Sequence, residues 1–376
     1  MHSGYCQQPE NAKAVNAINS FTFKIFNELR DLNQTENTFY SPLGIASTMA
    51  ILLLGSGHSQ ANELFRVLNA ENAFKSPQEM HEAFQMFLTR MRDEKKYELN
   101  IVNGLVVSDH VNISEQFRKN LKQYYGSTIE KTDFTDRNAV KAINLWFAQL
   151  TSNRFLQSLS ALDPFTKILA FNAVYFKGKW LSKFPNDLTK KRRFDFDGPG
   201  FKDIPFMSIQ DTYGFLRNKK KQYRMLEMKY DGNLDFVIIL PYKRIGLHKV
   251  MQSLTVEDLF STKTLQRKYE LYLPKFRLES QFDMVRVMPK VGVSKVFHEG
   301  ADFSAIAEKT KLKVSQGIHE AMIDVDEEGL ISEATTGIFI LHKKYVPRFI
   351  INHPFMFYVR NRQNNLIYFI GCIHKP

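Results

Sequence analysis

The sequence predicts an α+β protein in which helices dominate the first half of the chain and strands dominate the second. Apolar residues in the first 150 positions recur at three-four spacing, which is typical of amphipathic helices. Later segments are rich in Val, Ile, Phe and Tyr, as strands are. Because the two kinds of segment do not alternate regularly, a doubly wound parallel sheet is not expected.

The helical segments come first along the chain. Apolar side chains from Val15 to Leu29 follow the helical spacing. Pro42 then opens a helix that runs to Leu54 and stops at Gly55, because proline suits the first helical turn and glycine suits the end. Further helices are predicted over residues 58–68, 78–93, 115–125 and 137–153.

The predicted strands share β-branched and aromatic composition. They are Ile101–Val107, Lys167–Phe176, Leu234–Leu240, Tyr269–Phe276, Phe355–Arg360 and Leu366–Ile373. The polar turn 361–365 joins the last two as a hairpin.

Composition indicates one compact unit covering residues 1–376. The 376 residues are 44% hydrophobic and include 32 Phe, which is ample for a large core, and no linker-like tract divides them. No run of about eighteen apolar residues is present, so no transmembrane segment is expected.

The cellular location is left open by the sequence. Residues 1–11 contain neither a basic leader nor an apolar stretch, so no secretion signal is recognised. We expect an extracellular or cell-surface protein, with a cytoplasmic one as the alternative. Asn33 and Asn112 are candidate glycosylation sites. For Cys6 and Cys372, a buried thiol at Cys372 is favoured over a disulfide.

The net charge of +12 favours anionic partners such as sulfated polysaccharide, nucleic acid or an acidic membrane surface. Since no nucleic-acid-binding motif is present, nucleic acid is not expected. Solvated loops and strand ends are the alternative interpretation of the basic runs. The densest runs are Lys190, Lys191, Arg192, Arg193 and Lys219, Lys220, Lys221.

The sequence does not predict an enzyme. It lacks the Gly-X-Ser-X-Gly elbow that marks a hydrolase nucleophile. His81, His298 and His319 each precede a glutamate, but none has the second histidine that zinc peptidases require. No metal site is expected.

Residues 320–347 fit two conformations. Ile323 and Val325 alternate with Asp324 and Asp326, which is the pattern of a half-buried strand. Beyond them, a strand would place only small or apolar side chains on one face, from Leu330 to Ile340. As a loop, the same small and polar residues would be exposed to proteases.

Five motifs occur in the order and near the spacing of one known family. They are Asn37–Pro42, Asn172–Trp180, Leu271–Phe276, His353–Phe355 and Phe369–Gly371. Together with the 320–347 segment, they make the chain resemble a serpin, or serine protease inhibitor, over nearly its whole length.

The resemblance implies a fold of three β-sheets with eight or nine helices and an exposed reactive centre loop at about 329–347. A trypsin-like serine protease would cleave the Lys343-Lys344 bond, and cleavage after Lys344 is the first alternative. Cleavage after Leu341 or Phe339 would instead suit a chymotrypsin-like enzyme. The loop would then insert into the large sheet and trap the protease covalently. The implied hinge residues are Glu327, Glu328, Gly329, Leu330, Ser332 and Ala334.

The resemblance also assigns structural roles. Ser41, Asn172 and His319 match a polar cluster beneath the opening of the large sheet. Trp180, Lys275 and Glu327 match the point where insertion begins, and an ion pair between Lys275 and Glu327 is expected. Gly44 stands where the family often has serine, so the cluster is expected to lack one hydroxyl.

Three functions remain open at this point. The first is a monomeric suicide-substrate inhibitor with no cofactor except a heparin-like glycosaminoglycan. The hinge departs from the inhibitory pattern because Leu330, Ile331, Ser332 and Glu333 replace the usual Thr or Ser followed by alanines. A non-inhibitory carrier or chaperone is therefore the second function. The third is a glycosaminoglycan-binding surface protein.

Overall fold

The computed structural model describes residues 9–30, 35–260, 264–328 and 346–376. The α-helices in these ranges are α1 (Pro9–Leu29), α2 (Pro42–Leu54), α3 (His58–Val67), α4 (Pro77–Asp93), α5 (Glu115–Tyr125), α6 (Ala139–Leu150), α7 (Leu247–Ser253), α8 (Val256–Phe260) and α9 (Met284–Val287).

Strands occupy much of the rest of the described chain. They are β1 (Thr38–Tyr40), β2 (Glu98–Ser108), β3 (Thr128–Thr132), β4 (Ile168–Lys177), β5 (Lys190–Asp195), β6 (Phe201–Asn218), β7 (Tyr223–Lys229), β8 (Leu234–Pro241), β9 (Leu265–Pro274), β10 (Phe276–Asp283), β11 (Val314–Val325), β12 (Arg348–Ile350), β13 (Phe355–Asn361) and β14 (Ile367–Ile373). The predicted α+β class is confirmed.

A five-stranded sheet has the order β10-β11-β4-β2-β3. Its central pair, β4 and β11, is parallel, whereas β10 is antiparallel to β11 and β2 is antiparallel to β4. The register pairs Ile168 with Val314 at one end and Lys177 with Asp324 at the other. Since β4 and β11 pair directly along this length, no strand lies between them.

The other nine strands form one hydrogen-bonded network. The 18-residue strand β6 connects its two parts, because the first part of β6 pairs with β5 and β9 and the last part pairs with β7. The three predicted sheets therefore appear here as two networks, with β6 shared by the second and the third.

The main core lies between the two strand networks and the early helices. Helix α2 has no charged residue and is buried from Pro42 to Leu53, so it is an internal helix. Its start follows from local chemistry, because the Ser41 Oγ accepts a hydrogen bond from the Gly44 N–H and Pro42 occupies the first turn. The predicted span is confirmed.

A second, smaller core lies on the other face of the five-stranded sheet. There α6 packs on β2, and Phe147 of the helix stacks on Phe171 of β4 with ring centroids 4.5 Å apart. Helix α6 therefore covers this face of the five-stranded sheet.

One predicted strand was wrong in its extent. Tyr269–Phe276 was expected to be continuous, but β9 ends at Pro274 and β10 starts at Phe276, in a different sheet. Proline lacks the N–H that would continue the ladder, so the chain changes sheets there. Strands β5, β6 and β7 were not predicted, because their many charged residues hide the alternation.

No helix in the described ranges is long and apolar enough to cross a membrane.

Gly104 lies where α6 meets the sheet. A Cβ atom at this position would lie 2.6 Å from the Trp146 ring. We expect Gly104→Ala to lower the free energy of unfolding by about 1 to 3 kcal/mol, because overpacking forces the ring or the strand to move. Gly300→Ala is the matched control, since its Cβ would meet no atom within 4 Å. Thermal unfolding measures both, and equal melting temperatures for the two variants would contradict the packing argument.

Candidate functional site at the junction of β4 and β11

A buried hydrogen bond joins the side chains of β4 and β11 at the middle of their pairing. Asn172 of β4 lies directly opposite His319 of β11, and the His319 Nδ1 is 2.7 Å from the Asn172 Oδ1. On the other side of the ring, the Ser41 backbone N–H donates to Nε2 at 3.1 Å. Nε2 must therefore be the acceptor, so the proton of the neutral ring lies on Nδ1 and is donated to Asn172.

Burial keeps this histidine neutral. His319 is fully buried, and the cost of desolvating an imidazolium lowers its pKa from 6.5 to about 3. Both ring nitrogens are already satisfied, which makes the neutral tautomer the stable form. His319 is therefore a structural residue in this state, rather than a proton carrier near neutral pH.

Ser41 ties the junction of β4 and β11 to the second strand network. While its backbone N–H contacts His319, its hydroxyl donates to the Tyr368 carbonyl oxygen at 2.8 Å. The structure thus brings Ser41, Asn172 and His319 together. Their proposed role in sheet opening remains a prediction.

Three polar residues missed by the sequence analysis complete this cluster. Asn103 of β2 lies opposite Asn172, and its Oδ1 accepts from the Asn172 Nδ2 at 2.8 Å. The hydroxyls of Ser47 and Thr48 on α2 lie 3.2 and 2.8 Å from the same oxygen. A polar side chain in the middle of an apolar strand was the signal that could have identified Asn103.

Gly44, where the family often has serine, has no room for a side chain in this structure. A Cβ atom on Gly44 would lie 2.5 Å from the Asn172 Oδ1 and 2.7 Å from Val174. The backbone of α2 therefore approaches β4 too closely for a side chain. Ser47 and Thr48 supply the hydroxyls from the next turn of the helix.

At the end of β11, Trp180 holds the chain that leaves the sheet. Its indole N–H donates to the Asp326 carbonyl oxygen at 2.8 Å, and its backbone N–H donates to the Glu328 carbonyl oxygen at 3.1 Å. The indole is buried and stacks on Tyr230 with ring centroids 4.0 Å apart. Residues 326–328 are therefore held by hydrogen bonds to a tryptophan that is itself packed in the core.

The expected ion pair is present at the same place. The Lys275 Nζ lies 2.6 Å from the Glu327 Oε2, and the Thr189 hydroxyl donates to Oε1 at 2.8 Å. Burial by itself would raise the pKa of Glu327, but the hydrogen bonds from Lys275 and Thr189 lower it overall. The carboxylate is therefore charged at neutral pH and fixed at both oxygens.

Several predicted residues lie outside the described ranges. They are Asn33, Cys6, the hinge residues Gly329, Leu330, Ser332 and Ala334, and the reactive pair Lys343 and Lys344. Asn112 is exposed, as glycosylation would require, and Cys372 is buried. In the described chain, no group of three or more His, Cys, Asp or Glu residues is placed to hold a metal ion.

The two basic runs differ in their surroundings. Lys190, Lys191, Arg192 and Arg193 are exposed on β5, where successive side chains point to opposite faces. Arg193 pairs with Asp195 at 2.8 Å, and Lys221 pairs with Asp258. Lys219 and Lys220 are exposed in the turn between β6 and β7.

Comparison with known proteins identifies the family. The family model described as "Serpin (serine protease inhibitor)" matches residues 16–376, so the chain belongs to the serpin family. The predicted resemblance is confirmed.

Relatives and solved structures match along the whole chain. The human plasma serine protease inhibitor is 30% identical over 376 aligned positions, which cover 96% of this chain and 90% of that protein. Serpin48 of the insect Tenebrio molitor is 27% identical with a TM-score of 0.86, covering 99% and 100% of the two chains. Uncleaved ovalbumin, 23% identical with a TM-score of 0.89 over 96% and 99% of the chains, supports the fold alone.

The buried histidine predicts how stability depends on pH. Unfolded His319 takes up a proton below pH 6.5, whereas the folded protein resists it down to about pH 3. Stability is therefore lost as the pH falls through this window, by about 3 kcal/mol between pH 7.5 and 4 from this residue. We expect His319→Gln to remove that part of the loss when unfolding free energies at the two pH values are compared.

His110→Gln is the matched control for this experiment, since His110 is exposed. Burial lowers the pKa of His81 to about 4, so this residue contributes a similar loss of stability at low pH in every variant. The pH dependence should therefore become shallower in His319→Gln and stay unchanged in His110→Gln. An equal pH dependence in both variants contradicts the assignment.

Proposed function

We propose that the protein is a suicide-substrate inhibitor of trypsin-like serine proteases, cleaved at the Lys343-Lys344 bond. The observation that carries this proposal is the direct pairing of β4 with β11 in a serpin chain. The two strands are parallel neighbours, and a segment inserted between them would be antiparallel to both. If the residues that follow β11 turned back into the sheet, they would run antiparallel to β11 and therefore also to β4.

The reaction is acyl transfer to the protease. The protease serine oxygen attacks the Lys343 carbonyl carbon, the bond to the Lys344 nitrogen breaks, and the released amine takes the proton from the protease histidine. Residues after Glu328 would then enter between β4 and β11 with the protease still attached as an ester. Displacement of the protease would distort its oxyanion site before water completes hydrolysis.

Insertion requires β4 and β11 to separate, and this would break the interactions between the two strands. The hydrogen bond between His319 and Asn172 would break. The backbone hydrogen bonds that pair β4 with β11 would break as well. Helix α6 would have to move from its position over the sheet. A protein that keeps these contacts until cleavage is held kinetically in a state that is not its most stable one.

A non-inhibitory serpin is the second candidate. The sequence feature that favours it is the hinge, where Leu330, Ile331, Ser332 and Glu333 depart from the inhibitory pattern. Polysaccharide binding through the basic runs has weaker support, because Arg193 and Lys221 already have carboxylate partners. An extracellular location is supported by similarity to a plasma inhibitor.

Incubation with trypsin separates the first two candidates. We expect a complex that survives denaturing gel electrophoresis, and a cleaved form that melts at a higher temperature than the intact protein. Lys343→Ala should abolish the complex, whereas the matched variant Lys344→Ala should retain it. Clean cleavage with no complex and no gain in melting temperature would rule out inhibition and favour the carrier function.

The ion pair at the end of β11 gives a second test of the mechanism. In Glu327→Lys, two ammonium groups would meet where the Lys275 contact now holds the chain. We expect polymers on native gels and a melting temperature lower by a few degrees, because the anchored end of β11 is released. Exposure of Lys275 limits the energy of the pair itself to about 1 kcal/mol or less.

Glu328→Lys is the matched control for this charge reversal. The Glu328 side chain is more exposed than that of Glu327, and its Oε2 lies 3.8 Å from the Lys183 Nζ. The control should remain monomeric, and the double variant Lys275→Glu/Glu327→Lys should restore wild-type behaviour. Polymer formation in both single variants, or in neither, would contradict a specific role for Glu327.

A further inference from the structure

A groove lined by four arginines lies away from the junction of β4 and β11. It is formed by β6, β7, β9 and β12 and encloses about 670 Å³. The arginines that line it are Arg217, Arg224, Arg267 and Arg348. None of these arginines was predicted as a site residue, because they come from four separate segments.

The sheet register forces these like charges together. Arg217 of β6 lies directly opposite Arg224 of β7, an arrangement that destabilises an antiparallel pair. On β9, Leu265, Arg267 and Tyr269 occupy alternate positions and therefore share one face. All three line the groove.

Little negative charge compensates them within the described part of the chain. Arg348 lies 3.2 Å from a Glu270 oxygen, and Glu270 also accepts a hydrogen bond from Tyr272. Burial and the positive charge of Arg217 together lower the pKa of Arg224. The buried Nε of Arg224 has no hydrogen-bond partner among the described residues.

Apolar side chains form the rest of the groove. The rings of Phe215, Tyr269 and Phe349 pack on one another with centroids 5.2 to 6.3 Å apart. The Arg224 guanidinium lies over Phe349 at 5.1 Å from the ring centroid. At the rim, Leu265 is 64% exposed.

We propose that this groove binds a small organic anion, one that carries a carboxylate or sulfonate group on an aromatic or apolar body. The guanidinium groups would take the anionic group through charge-assisted hydrogen bonds, and the rings and Leu265 would cover the apolar body. The volume is that of a site for a ligand of this size. A sulfated polysaccharide would bind the arginines but has no apolar group to contact the aromatic rings and Leu265.

The location connects this site with the rest of the molecule. Arg348 and Phe349 belong to β12, which starts three residues after the segment 329–345 that contains Lys343. A ligand in the groove would therefore contact the strand that receives the end of the proposed reactive loop. The binding site itself does not depend on the inhibitory function.

The test uses two fluorescent probes with the same aromatic body. One is 8-anilinonaphthalene-1-sulfonate, and the other is N-phenyl-1-naphthylamine, which lacks the sulfonate. We expect the intact protein to bind the sulfonate at least tenfold more tightly. Arg224→Met and Arg267→Met should each weaken sulfonate binding at least tenfold, since a charge-assisted hydrogen bond is lost, and leave binding of the neutral probe within twofold.

Lys268→Met is the matched control, because Lys268 lies on the same strand but points to the opposite face. It should bind both probes as the wild type does. Leu265→Glu should also weaken sulfonate binding, because it places a competing carboxylate at the rim. Thermal unfolding checks that each variant is folded.

Three results would overturn the proposal. The first is equal affinity for the two probes in the wild type. The second is an equal loss of sulfonate binding in Lys268→Met and Arg267→Met. The third is displacement of the sulfonate by heparin but not by the small anion 1-naphthoate, which would identify a polysaccharide site. Trypsin inhibition is measured separately, so failure of either proposal leaves the other intact.

Discussion

The contact between β4 and β11 is the constraint on which the rest of this serpin depends. Ten register pairs of a parallel ladder hold it, and Asn103, Asn172 and His319 add a row of buried polar side chains across three neighbouring strands. The hydrogen bond between His319 and Asn172 is made only while β4 and β11 stay adjacent. Separating them without new partners leaves buried polar atoms unpaired, which is costly. The hydrogen bonds that join β4 and β11 are therefore the ones that opening of the sheet would break.

Further contacts concentrate at the end of this junction where the chain leaves β11. The Tyr175 hydroxyl donates to Asp324 of β11 at 3.1 Å, and Lys177 of β4 pairs at 2.9 Å with Asp326, which directly follows β11. Trp180 and Lys275 then hold residues 326–328 from neighbouring elements. This arrangement places several anchoring contacts next to the segment that the proposed mechanism moves. It also explains why charge reversal at Glu327 is a more informative change than loss of a surface pair elsewhere.

Local signals predicted the elements whose causes are local. Pro42 and Gly55 bracket α2, and the hydrophobic spacing found the other long helices, because helix starts and faces depend on residues a few positions apart. The polar cluster could be predicted only in part. Ser41, Asn172 and His319 were found through the family motifs, whereas Asn103, Ser47 and Thr48 were missed. Their partners are 55 to 69 residues away in sequence, so no nearby residue indicates the contact.

By itself, the sequence determined the α+β class, the family, the span of α2 and the lysine pair at which cleavage is proposed. These properties follow from composition, short-range spacing and motifs. Only the tertiary structure decided that β4 and β11 are adjacent, that Gly44 has no room for a side chain, and that β9 ends at Pro274. It alone brought four arginines from separate strands into one groove. Register and long-range packing decide such features, and neither can be read from neighbours in the chain.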